Sequence, residues 1–392
     1  MRNKRGITLI SLIITIIILL ILSGISISTL TNTGLVDKVR EAEQESKNAQ
    51  EKENLTLLNY ESIINEYLSG TVGSSSEGNG NKEPVGSKDW SDVYTKTQKD
   101  NYTDTSGKKA TIPAGFQVSL KTGETEIDTG LVVRNATDLN EFVWIPCTID
   151  GANESITYAR YVFTREGWSY NQTLNTATGG IKTETSTYVY TETMPNDEES
   201  SIRTYDGFYI GRYESGVYGY DEEVSKTNSG NSTDWTGYSN GRLVIKANQQ
   251  VWNYITRDRA KNISEGLYSK EKGDSVNSKL CSSFAWDTAL KFIDTKNVGY
   301  STYSTVGNYL NRSDELGKPA KTGLTAAVNN IYDMGGNTGE WTTEAIANET
   351  NRCSIRGGDY GGYASYFPAA YRSDGARNSA HDFISFRATL YL

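Results

Sequence analysis

The chain has 392 residues, with 39 Lys and Arg against 48 Asp and Glu, for a net charge of −9. That balance, with no basic stripe interleaved with aromatics, excludes a nucleic-acid footprint. A single histidine, His381, excludes every mechanism that needs two imidazoles, and three scattered cysteines are too few for a disulfide scaffold or a zinc site.

Arg2, Lys4 and Arg5 precede an uncharged run from Ile7 to Leu30. As a helix rising about 1.5 Å per residue, that run is long enough to cross a hydrocarbon core of about 30 Å. Lipid forces backbone groups to bond internally, so helix is expected despite the many isoleucines. The basic residues before the run orient it with the N-terminus inside and the remainder outside, a single-pass cell-membrane protein. A cleaved secretory signal is the alternative reading, but the run is longer than a usual signal core and lacks a clear cleavage site. Residues 31–69 follow as a largely polar helical stalk, and residues 70–89, rich in Gly, Ser and Asn, as a flexible linker. The main domain is expected over 90–392.

Lys4-Arg5-Gly6 followed by Ile7-Thr8-Leu9-Ile10 resembles the signal of type IV prepilins and pseudopilins. The resemblance implies a leader over residues 1–6, cleavage between Gly6 and Ile7 by a prepilin peptidase, and pilin-type subunits as partners. The fifth residue after the cut is usually Glu in that family, and here it is Ser11. A minor or tip subunit, or a plain membrane anchor, therefore fits better than a repeating pilin.

Beyond Trp90 the pattern is of short strands and turns. TIPAGFQVSL, GLVVRN, EFVWIP (Glu141–Pro146) and GFYIGRYESG (Gly207–Gly216) read as strands, the third of them buried. Helices are expected around Asn253–Tyr268 and Phe284–Asp294, the second with Trp286, Ala289, Leu290 and Ile293 at helical spacing. Polar loops such as Glu222–Gly241 follow no periodicity. The fold class is α+β. Cys147, Cys281 and Cys353 are either three buried thiols or one disulfide with a free thiol.

FVWIP, GFYIGRYESG, AWDTAL, NIYDMGGNTGEWT, RGGDY and a terminal FRATLYL occur in the order found in the formylglycine-generating enzyme (sulfatase-modifying factor) superfamily. The chain resembles that superfamily from about Glu141 onward, which implies a C-type-lectin-like fold. Gly335, Gly336, Gly357 and Gly358 would permit turns forbidden to other residues, with Trp341 an apolar anchor beneath them. The family's GFR becomes Ser385-Phe386-Arg387. The resemblance also implies two known chemistries, and neither has its ligands here. The copper oxidases need paired cysteines where this chain has YASYFPAAYR (Tyr363–Arg372), and soft thiolates are what Cu(I) demands. The iron-dependent sulfoxide synthases need three histidines. No catalytic residue and no certain cofactor are expected. In the superfamily the segment of Asn337 and Glu340 can give oxygen ligands to a structural Ca²⁺; otherwise Asn337 caps or stabilises a turn and Glu340 is a surface carboxylate or an ion-pair partner.

The candidate binding surface is Asp359 to Phe383. It holds Asp359, Tyr360, Tyr363, Tyr366, Phe367, Asp374, Asn378, His381, Asp382 and Phe383, separated by Gly, Ser and Ala. Tyr set among Gly, Ser and Asn is the composition of paratopes, because Tyr supplies area and a polar tip at low entropy cost. The same place is the variable face of similar lectin-like domains diversified by retroelements. Tyr371, Phe386 and Leu390 are expected to be buried and the glycine-flanked tyrosines exposed. The function expected is display of a domain binding an extracellular glycan or protein. The alternatives are a metal-dependent oxidase of the same superfamily and a pseudopilin that packs only on other subunits.

Overall fold

The computed structural model describes residues 89–95, 101–152, 155–168, 170–220, 238, 241–304, 306–310 and 317–392. The expected leader with its cut at Gly6 and Ile7, the span 7–30, the stalk 31–69, the linker up to residue 88 and nearly all of the loop 222–241 lie outside these residues. Among the described residues no helix is long and apolar enough to cross a membrane.

The first strands are β1 (Asn101–Thr103), β2 (Lys109–Thr111), β3 (Phe116–Val118), β4 (Val132–Asn135) and β5 (Glu141–Pro146). Next come β6 (Gln172–Asn175), β7 (Gly180–Thr183) and β8 (Val189–Thr191), then helix α1 (Asn196–Tyr205). The middle of the chain forms β9 (Gly207–Gly211), β10 (Gly216–Tyr218), β11 (Arg242–Val244), β12 (Gln250–Val251), α2 (Arg257–Leu267), β13 (Asn277–Leu280) and α3 (Ser283–Asp294). It closes with β14 (Gly339–Ile346), β15 (Arg352–Arg356), β16 (Arg372–Ala376), β17 (Ile384–Phe386) and β18 (Ala388–Tyr391). The result is mostly sheet with few helices, of the α+β kind.

Local chemistry sets the helix ends. The Thr256 side chain accepts from the Arg259 amide and the Ser282 side chain from the Ala285 amide, so α2 and α3 begin at Arg257 and Ser283. For α2 this trims the expected start at Asn253. α3 buries Trp286, Ala289, Leu290 and Ile293, as their spacing predicts. α1 has only a weak apolar stripe to read; it begins after Pro195 with Asp197, Glu198 and Glu199 in its first turn, where carboxylates favour the helix dipole.

Two sheets carry the architecture. One is six-stranded in the order β13-β18-β9-β5-β4-β3. The run EFVWIP becomes β5, where Phe142, Val143, Trp144 and Ile145 are all buried between neighbours on both sides. The other sheet is seven-stranded, running β16-β15-β14-β8-β7-β6 with β17 beside β14. β14 is long enough to be shared: Gly339–Trp341 pair in parallel with β17, and Ala345–Ile346 pair with β8.

Phe386 ends β17 in one sheet, and Ala388 opens β18, an internal strand of the other. Arg387 stands between them, fully buried. Its guanidinium donates to the Glu340 carboxylate at 2.6 and 3.0 Å, to the Gly211 carbonyl at 2.9 Å and to the Tyr332 carbonyl at 2.9 Å. Burying a charge is costly unless it is paired and hydrogen-bonded, and here one arginine ties β14, β9 and the crossover together. Replacing Glu340 by Leu leaves that guanidinium uncompensated. The expected outcome is a loss of about 3–5 kcal/mol in urea unfolding; an unchanged midpoint and slope would refute the assigned role.

Candidate functional site

The terminal segment is held from behind by buried polar groups drawn from several distant segments of the chain. Asn337, at φ 59°, is fully buried. Its side-chain oxygen accepts from the Ala320 amide at 2.7 Å and from Asn308 at 3.0 Å, and its amide donates to Glu214 and to the Ala320 carbonyl. Glu214 also accepts from the Thr338 hydroxyl and, at 3.3 Å, from Ser385. The Ser385 hydroxyl accepts from Thr338 at 2.7 Å. Ser385 is thus a bonded member of the network.

A second cluster lies beneath β15 and β16. Asp287 of α3 takes Arg356 at 2.7 Å on one oxygen and Arg372 on the other. Arg372 also reaches Glu344 at 3.3 Å, and Arg160 pairs with the same carboxylate. Burial pushes Glu344 up, but the guanidinium groups of Arg372, Arg160 and Arg356 outweigh it and hold the group at about 2. Trp286 and Trp341 anchor the layer, their indole N–H groups donating to the carbonyls of Ala369 and Ile255 at 3.0 Å each. At the RGG turn, Gly357 has φ +72°, and a Cβ on Gly358 would collide with the Phe367 carbonyl oxygen. One glycine is needed for backbone conformation and the other for close approach.

On this support the predicted surface divides into parts. Tyr363 and Tyr366 are 45% and 56% exposed, with ring centroids 6.3 Å apart at 77°. The aromatic contacts continue inward through Phe367 and Tyr371 at 4.8 Å, then Tyr170 at 4.5 Å. Tyr371 is half-buried and not buried as expected: Phe367 and Tyr170 flank its ring while part of it still reaches the surface. Phe386 and Leu390 are buried, as expected.

Asp359, Tyr360 and Asp382 form a second part. Tyr360 is half-buried, which corrects the expectation of exposure, because its hydroxyl turns to donate to Asp382 at 3.0 Å. Burial, and after it the neighbouring Asp382 carboxylate, push Asp359 above its usual value although the Gly361 amide donates to it at 2.8 Å. His381 stacks on Phe383 at 5.0 Å, and Phe383 is 38% exposed. Asp374 is set apart on β16 as the partner of Arg352, and Asn378 lies half-buried in the turn after that strand. The surface thus offers aromatic area, hydroxyl donors and carboxylate acceptors.

Asn337 and Glu340 point into the protein, the first satisfied by Ala320, Asn308 and Glu214 and the second by Arg387. All three cysteines are free and buried, and burial raises their thiol pKa values. Sequence reading missed Asp287, Glu344, Glu214 and the inward arginines. The one available signal was their place inside apolar or glycine-rich motifs, where a solvated charge has no evident reason to sit.

No family model and no curated protein matches this chain. Among solved structures it is similar to PvdO from Pseudomonas aeruginosa at 15% identity, covering 67% of this chain and 98% of that one with a TM-score of 0.40. It is similar to CarF at 16% identity, covering 47% and 87% with a TM-score of 0.32. It is also similar to Treponema denticola variable protein 1 at 13% identity, covering 64% and 96% with a TM-score of 0.32.

Two outcomes follow from this geometry. Because Glu344 ionises in the fold at about 2 against an ordinary 4.5, it stabilises the protein above pH 4.5, and that contribution is lost as pH falls towards 2. Glu344→Gln should lower the melting temperature at pH 7 and flatten its fall below pH 4.5; acid limbs of equal slope would contradict this. Tyr363→Ala with Tyr366→Ala, on exposed positions, should shift unfolding by no more than about 0.5 kcal/mol. A larger loss in denaturant titration would mean the two rings belong to the core.

Proposed function

We propose that the chain is a surface-displayed binding protein of the formylglycine-generating enzyme superfamily, with a C-type-lectin-like domain and without that family's oxidase chemistry. The observation that carries the reading is the exposed pair Tyr363 and Tyr366 on a segment anchored by buried charge. Large rings on the surface at a rigidly backed position are what a recognition face needs, since little ordering is left to be done on binding. Arg372, which closes the stretch where the copper cysteines of the superfamily would fall, turns inward to Asp287 and Glu344. The buried thiols, with raised pKa values, are poor metal ligands and nucleophiles.

In this reading Asn337 and Glu340 serve the scaffold and are not calcium ligands. The pilin-like segment with Gly6, Ile7 and the run to Leu30 tethers the domain to the membrane and brings it to a prepilin peptidase and pilin-type subunits. The ligand is extracellular, a glycan or a protein. Binding of the full-length chain to glycan and protein arrays, compared with the Tyr363→Ala/Tyr366→Ala variant, tests the reading. At least a tenfold loss of the wild-type signal is expected, and equal binding by the two proteins would sink the choice of face.

A further inference from the structure

Between Gly358 and Phe383 the acidic and basic side chains are Asp359, Arg372, Asp374, Arg377 and Asp382. Both cations of this stretch are already committed: Arg372 is enclosed with Asp287 and Glu344, and Arg377 is held by Asp258 at 2.6 Å. Asp374 has Arg352. Asp359 is half-buried and makes no ion pair among the described residues; its carboxylate accepts from the Gly361 amide at 2.8 Å. The charge that acts on it is a second carboxylate, Asp382, which takes the Tyr360 hydroxyl at 3.0 Å. A carboxylate sheltered from water without a counter-charge costs free energy that a bound cation recovers.

The backbone sets this carboxylate beside the exposed rings. The Gly362 amide donates to the Asp359 carbonyl at 3.1 Å, and the amides of Tyr366 and Phe367 both donate to the Tyr363 carbonyl at 2.9 Å. Phe367 closes these two turns on each other, its carbonyl against Gly358 and its ring against Gly362. The Tyr366 ring lies 6.5 Å from that of Phe367, and the Asp359 charge is felt at Tyr371, which Phe367 also touches. The Leu310 amide donates to the Gly362 carbonyl at 2.8 Å, so Leu310, 40% exposed, adds apolar area at the same turn.

Tyrosine faces next to a carboxylate select a cation, because the ring quadrupole and the ionised oxygens attract the same sign. Among cations a guanidinium suits both parts: its plane stacks on an aromatic ring and its fork matches a carboxylate. Leu310 and the rings can cover the apolar stem that carries it. A neutral glycan could stack on the rings but would leave Asp359 without a counter-charge. The net charge of −9 steers a basic partner towards the protein and repels an acidic one.

We propose that the tyrosine face docks an arginine-bearing segment of a partner protein, the guanidinium on Asp359 and against Tyr363 and Tyr366. This rests on the reading of that face as a recognition surface and names the chemistry of its partner.

Fluorescence anisotropy of labelled octa-arginine and octa-citrulline peptides, titrated with the full-length chain, tests it, since citrulline keeps the shape of arginine and loses its charge. At about 0.15 M salt, exposed charges more than about 8 Å apart are largely screened, which suppresses unspecific attraction. Octa-arginine should bind at least about tenfold more tightly than octa-citrulline. Asp359→Asn keeps an oxygen for the Gly361 amide and should weaken octa-arginine about fivefold; Tyr363→Ala/Tyr366→Ala should weaken it about tenfold. Glu271→Gln removes an equal charge from the exposed turn between α2 and β13 and should leave the affinity unchanged. Equal binding of the two peptides, indifference to Asp359→Asn, or an equal loss in Glu271→Gln overturns the proposal. Should a glycan bind instead, and lose affinity in the tyrosine variant, the face stands and its arginine partner falls. Octa-arginine binding that the tyrosine variant leaves untouched removes the face itself.

Discussion

The Glu340–Arg387 pair is the constraint on which the two sheets depend. Arg387 sits where the chain leaves one sheet and enters the other, so its position fixes the angle of that crossover. An arginine can do this because its planar fork holds several donors in fixed directions, and here they reach a carboxylate and two carbonyls at once. A hydrophobic residue of similar volume could fill the space without specifying which backbone carbonyls come together. The neighbouring groups extend the same logic: Glu214 joins the first half of the domain to Asn337, Thr338 and Ser385, and Asp287 joins α3 to β15 and β16.

This interior leaves the outer side of the terminal segment chemically unassigned. Each of Arg356, Arg372 and Arg387 points inward, so the loops between β15 and β17 are anchored by side chains that never meet solvent. The residues between the anchors are then free to be chosen for contact. Tyr363 and Tyr366 are exposed there, while Phe367, packed over Gly358 and Gly362, passes the aromatic layer down to Tyr371. Rigid support and an exposed polar aromatic are the two parts of a preorganised recognition surface.

The fold was legible where a residue's local pattern and its tertiary fate coincide. β5 was legible because four consecutive apolar residues suit a strand covered on both faces, and α3 because its apolar positions recur at helical spacing. α1 was not, since NDEESSIRTY carries a weak stripe and is placed by Ile202 and Ser201 against residues distant in the chain. In the candidate site, exposure of Tyr363 and Tyr366 could be read from their small neighbours. Tyr360 and Tyr371 could not, because a hydrogen bond to Asp382 and a ring contact with Tyr170 are made across long sequence distances.

By itself the sequence determined the α+β class, the strand-and-turn character of the domain, the turn glycines and the aromatic bias of the last segment. These depend on backbone permissions and side-chain periodicity, which act over a few residues. Only the tertiary structure decided that Glu340, Asp287, Arg356, Arg372 and Arg387 are buried partners, and that Glu214 meets Asn337, Thr338 and Ser385. Whether a charge is solvated or enclosed depends on what the rest of the chain brings beside it. A one-dimensional pattern does not contain that information.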